Sequence, residues 1–78
     1  MVTSAQIRAA RGLINWTVRD LSEASGVHRN TITRIEAGAD SHGPTLAAIR
    51  QALESAGVLF IPENGAGPGV RLKKDPPG

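Results

Sequence analysis

The sequence predicts a mostly α-helical fold: four short helices in one compact domain, followed by a short C-terminal β-hairpin or strand extension. Two capping boxes, Thr3 with Gln6 and Thr17 with Asp20, mark helix starts. In each, the cap hydroxyl and the side chain three residues on satisfy one another's free backbone N–H. Apolar residues recur at three- and four-residue spacing as far as Ala56. After Gly57 the period changes to the continuous apolar run Val58-Leu59-Phe60-Ile61, which suits a strand.

The first helix starts near Ser4, with Val2 and Ile7 as a hydrophobic staple across its cap. Ile7, Ala10 and Ile14 form its apolar stripe, Arg8 and Arg11 stand beside it, and Asn15 tolerates the left-handed backbone that ends it. The second runs from about residue 18 to 25, stapled by Trp16 and Leu21 and stopped by Gly26, a residue that adopts a left-handed conformation without penalty. The third runs from about 29 to 37. Val27 and Ile32 are its staple, His28 stands near its start, Ile32 and Ile35 face inward and Gly38 stops it.

Residues 39–43 read as a loop. Pro44 suits the first turn of a fourth helix, where no N–H is needed, and Thr45 is a rival cap. Leu46, Ile49, Leu53 and Ala56 form the stripe of that helix, closed by Gly57. Beyond it, the glycine- and proline-rich PENGAGPG separates the 58–61 run from Val70-Arg71-Leu72, which reads as a hairpin with a long loop. A lone two-stranded hairpin is marginal in water, so it must lie on the helices or pair with a second copy. Val58, Phe60, Ile61, Val70 and Leu72 are therefore candidates for a homodimer interface. The expected organisation is a helical domain over 1–57, a β-prone extension over 58–74 and a mobile tail over 75–78.

Composition narrows the function. The chain has 78 residues, no cysteine and a net charge of +2. Disulfide frameworks and thiolate metal sites are excluded. No apolar run approaches the roughly 20 residues a membrane span needs, and the N-terminus lacks the order of a signal peptide, so a cytoplasmic protein is expected. One Trp, one Phe and no Tyr leave no aromatic platform for stacking single-stranded bases. His28 and His42 lack the spacing of a metal site on one helix face, and no acid, base and nucleophile converge. An enzyme is not expected, nor any cofactor.

The segment TVRDLSEASGVHRNTITRIEAG, residues 17–38, reads as two helices joined by a turn at Gly26, the arrangement that places one helix in the major groove of DNA. Arg29, Asn30, Thr33 and Arg34 on the second of them are side chains that hydrogen-bond base edges and phosphates. A solvated polar face would show the same residues. Thr17, Arg19, His28 and Thr31 are the candidates for backbone contact or helix starts, and local capping by itself accounts for Thr17 and Thr31.

GVHRNTITRIEAG is close to a GVSRSTISRIERG-like pattern, and RAARGLINWT before it and TLAAIRQAL after it also fit. From Gln6 to Leu53 the chain thus resembles the Xre family, the Cro and phage-repressor type of helix-turn-helix domain. The resemblance implies a compact repressor-like bundle whose helix from Arg29 onwards reads double-stranded DNA, commonly as a homodimer on a palindromic operator that regulates transcription. It places base reading on Arg29, Asn30, Thr33 and Arg34, puts His28 where Ser or Thr is usual, and pairs Arg11 with Glu36 as a structural ion pair. Three features depart from the pattern. Val18 stands where a phosphate-gripping Gln is frequent, Ser22 replaces a common Ala, and a β-prone tail replaces a fifth helix. Two alternatives stay open at this level: an antitoxin that also binds a toxin, and a protein-interaction module that has lost DNA.

Overall fold

A computed structural model of the chain describes residues 2–41 and 43–73; His42 and the 75–78 tail lie outside the described residues. Helix α1 spans Ser4–Leu13. Both halves of its capping box form: the Gln6 N–H donates to Thr3 Oγ1 at 3.1 Å and the Thr3 N–H donates to Gln6 Oε1 at 2.8 Å. Asn15 turns the chain beyond it with φ 58°. Helix α2, Val18–Ser25, has the same box between Thr17 and Asp20, at 3.1 and 2.9 Å, and ends at Gly26 with φ 77°. Helix α3 spans Arg29–Glu36 and helix α4 spans Gly43–Ser55. Helix α4 starts one residue before Pro44, so Thr45 lies inside the helix and is not its cap. Pro44 still falls in the first turn, where its missing N–H breaks no helical bond.

Strands β1, Val58–Ile61, and β2, Gly69–Leu72, pair antiparallel, with Val58 opposite Leu72 and Ile61 opposite Gly69. The core beneath them is one cluster drawn from every helix. Ile7, Leu21, Ile32, Ile49, Leu53 and Val58 are fully buried, and Phe60 and Val70 rest on them. The hairpin is thus roofed onto α1 and α4 by its own apolar residues. Gln6 adds a polar pin: its Nε2 donates to the main-chain oxygens of Ile61 at 3.2 Å and Gly69 at 2.9 Å. Arg50 stands over the Phe60 ring at 5.8 Å to the centroid and pairs with Glu54 at 3.2 Å, holding α4 against β1.

This packing corrects part of the interface expectation. Val58 is 0% exposed within its own chain, so no second copy can reach it while the hairpin is seated. Phe60 and Val70 are half-buried on the same core. Of the five candidates, Ile61 is half-buried and Leu72, at 50% exposure, is the one that projects.

Candidate nucleic-acid interface

Helix α3 turns Ile32 and Ile35 into the core and leaves Arg29, Asn30, Thr33 and Arg34 exposed. Residues one turn apart stack on one side of a helix, so these four form a single polar edge two turns long. Among the described residues no ion pair engages Arg29 or Arg34, and their guanidinium forks remain open to a guanine edge or a phosphate. Thr33 is more constrained. Its hydroxyl donates to the Arg29 main-chain oxygen at 3.0 Å, so outward it offers a methyl group and lone pairs rather than a proton.

His28 is the N-cap, with Nδ1 accepting the Asn30 N–H at 3.1 Å. Thr31 sits within the helix, exposed, and does not cap it. This corrects the capping role expected for Thr31. The side chain that begins the helix lies three positions earlier, and it is an imidazole rather than a hydroxyl.

The far end of α3 is clasped by α1. Arg11 Nε donates to Glu36 Oε2 at 2.6 Å and its second nitrogen, Nη2, donates to Oε1 at 2.8 Å, a two-pronged pair. Its remaining nitrogen, Nη1, donates to the Trp16 oxygen at 3.0 Å, tying in the α1–α2 turn. Arg8 donates to the main-chain oxygen of Glu36. Glu36 is buried and Arg11 largely so. The hydrogen bond to Glu36, reinforced by its charge, raises the Arg11 pKa above the ordinary guanidinium value despite partial desolvation. At the near end, Ser22 Oγ donates to the Val27 oxygen at 2.7 Å and Ser25 Oγ accepts the Val27 N–H at 3.1 Å. These two serines fix the turn between α2 and α3, and hence the angle at which α3 is presented.

Around this edge the other candidates divide. Thr17 is committed to its cap, although it remains exposed. Arg19 lies in the open, 3.4 Å from Glu23, a surface pair of small energetic weight. Val18 is half-buried against the core, so the place where the family pattern has Gln contributes packing here. A recess of about 200 Å³ beside α3 is lined by Thr31, Arg34, Asp40 and Thr45.

Sequence reasoning missed the roles of Arg8, Ser22 and the second role of Gln6. Arg8 and Gln6 make contacts 28 to 63 residues away along the chain, which no local pattern signals. The Ser22 bond spans only five residues, and a serine four residues before a stop glycine was a usable hint of a side chain closing the turn.

A protein-family model described as Helix-turn-helix matches residues 7–58. No curated protein sequence matches the chain. Among the described residues no helix is long and apolar enough to cross a membrane. The matched span takes in all of α2, α3 and α4, together with most of α1, and the geometry of α3 is that of a helix offered outward on a rigid base. The chain therefore belongs to the Xre-type helix-turn-helix family, whose domains are DNA-binding regulators of transcription.

Proposed function

We propose that this protein is a cytoplasmic, non-enzymatic regulator that reads double-stranded DNA as a homodimer on a palindromic operator. The observation that carries the reading is the exposed edge of α3, where Arg29, Asn30, Thr33 and Arg34 face outward, with no ion pair to Arg29 or Arg34 among the described residues, while Ile32 and Ile35 anchor the helix from behind. In the major groove, Arg29 and Arg34 match the paired acceptors of guanine and Asn30 the donor–acceptor pair of adenine. Thr17 and His28 cap α2 and α3, and Thr31 lies in the first turn of α3; all three are exposed, where hydroxyls and helix-start amides meet phosphate and set the register of the duplex.

One such helix reads only a few base pairs. Two copies on a two-fold axis double the reading and set half-sites about one helical turn apart. The uncovered parts of the hairpin, Ile61 on its outer face and Leu72 at its open end, are the surface we assign to that pairing. Selection of bound sequences from a random duplex library tests both parts together. The expected result is an inverted repeat with half-site centres about 10 base pairs apart. Recovery of no enriched sequence overturns the DNA reading, and recovery of a single asymmetric half-site overturns the dimer.

A further inference from the structure

The start of the recognition helix is capped by a group that can lose its capping ability. We propose that His28 is a positioning residue whose neutral ring holds the first turn of α3, and with it Arg29 and Asn30, in DNA-reading geometry, and whose protonation releases that turn. The inference rests on the DNA reading above and adds a regulatory input to it.

The hydrogen bond decides the tautomer. Nδ1 accepts the Asn30 N–H, so the ring proton sits on Nε2 and the imidazole is uncharged. A serine or threonine at this position keeps its lone pairs at any ordinary pH. An imidazole does not: once protonated, both ring nitrogens are donors and the Asn30 N–H loses its acceptor. The new positive charge also stands at the positive end of the helix dipole, which opposes it. Both effects act in the same direction.

Among the described residues no ion pair offsets them, and Asp40 lies farther along α3, beside Thr31 and Arg34. Helix α1 faces α3 with Arg8 and Arg11, and both are engaged by Glu36 at the opposite end. Helix α2 carries Arg19, Asp20 and Glu23. Asp20 closes the Thr17 box and Glu23 pairs with Arg19. The turn beside His28 is built by Ser22 and Ser25, which carry no charge. The nearest charge along the chain is Arg29, also positive. No ion pair of the described residues includes His28, so no carboxylate holds the ring in place once it is charged.

The experiment has two arms. In the free protein, ring and amide NMR of wild type, H28S and H28N is followed from about pH 7.5 to about pH 5.5. The expected result is an unprotonated Nδ1 at the upper pH, with the Asn30 amide shifting and exchanging about three- to tenfold faster as the ring titrates, and no such change in either variant. In the second arm, the duplex recovered by selection at the upper pH is bound in about 0.3 M salt, which screens a charge near phosphate. Wild-type affinity is expected to fall about three- to tenfold at the lower pH, and that of the two variants to hold, each relative to its own upper-pH value. A proton found on Nδ1, an Asn30 amide indifferent to ring titration, equal pH slopes in all three proteins, or tighter wild-type binding in acid overturns the proposal. If selection recovers no duplex, the DNA reading is what fails, and the amide and ring readouts still decide the cap.

Discussion

At the scale of single residues, the proposed interface depends on a division of labour between arginines. Arg29 and Arg34 are exposed and unengaged by ion pairs among the described residues, whereas Arg11 is spent on Glu36 and Trp16. The same side chain therefore has opposite consequences when removed. Arg34→Ala is expected to cost about 1–3 kcal/mol of binding to the selected duplex and to relax specificity at one position per half-site. Binding assays on cognate and scrambled duplexes check this, because equal losses on both reduce Arg34 to phosphate neutralisation. Glu36→Ala acts on the fold instead. It leaves the mostly buried Arg11 without its carboxylate, at a cost of about 2–4 kcal/mol once the residual exposure of Arg11 is allowed for. Urea denaturation should show a lower midpoint at unchanged slope. An Arg11→Met, Glu36→Leu double variant should be less destabilised than Glu36→Ala, since no charge is left stranded.

At the scale of elements, short helices are made precise by their ends. Helices α2 and α3 have 8 residues each, below the length at which a free helix persists in water. Their caps, the two serines of the intervening turn and the core contacts of Leu21, Ile32 and Ile35 supply what length does not. The hairpin follows the same logic at its tip. Glu63 accepts the N–H groups of Gly65 at 2.7 Å and Gly67 at 2.9 Å, in a loop whose glycines have φ of 99° and 94°. Those bonds, led by Gly67, lower the Glu63 pKa below the ordinary 4.5. A lowered carboxyl contributes its ordering above its unfolded value and loses it as pH falls through the folded one. The tip should therefore stay latched through neutral and mildly acid solution and open only below pH 4.5. The Gly65 and Gly67 amide resonances should titrate together there, and Glu63→Gln should abolish the transition. A midpoint at or above 4.5 would contradict the latch.

For the whole molecule, the hairpin serves as the lid of the core and, in the proposed dimer, as its outward surface. Those roles fall on different residues: Val58 is sealed on the core, whereas its cross-strand partner Leu72, on the same face, overhangs the edge of the core and stays exposed. Leu72→Asp should leave the melting temperature within a few degrees of wild type while converting the proposed dimer to monomer, and should weaken operator binding without altering half-site preference. Analytical ultracentrifugation alongside duplex titration reads both. A variant that remains dimeric removes the hairpin from the interface. Truncation after Gly57 is the less informative change, because it strips Val58, Phe60 and Val70 from the core and exposes buried surface throughout the bundle.

The chain by itself determined its four helices, their stops and the polar edge of α3, because caps, glycines and apolar spacing act over a few residues and leave a local trace. Thr3 with Gln6, Thr17 with Asp20, and Gly26 are read directly off the letters and stand where they were expected. The pairing of Arg11 with Glu36 came from family resemblance alone, since nothing in the spacing of two residues 25 apart specifies a contact. Tertiary structure alone decided which face of the hairpin is covered, that Gln6 pins it, that Arg8 joins the clasp on α3, and that His28 rather than Thr31 caps α3. A strand apolar on both sides satisfies the same local rules whether it packs on its own helices or on a copy. Only the shape of the assembled core, which accepts Val58 and leaves Leu72 outside, separates the two.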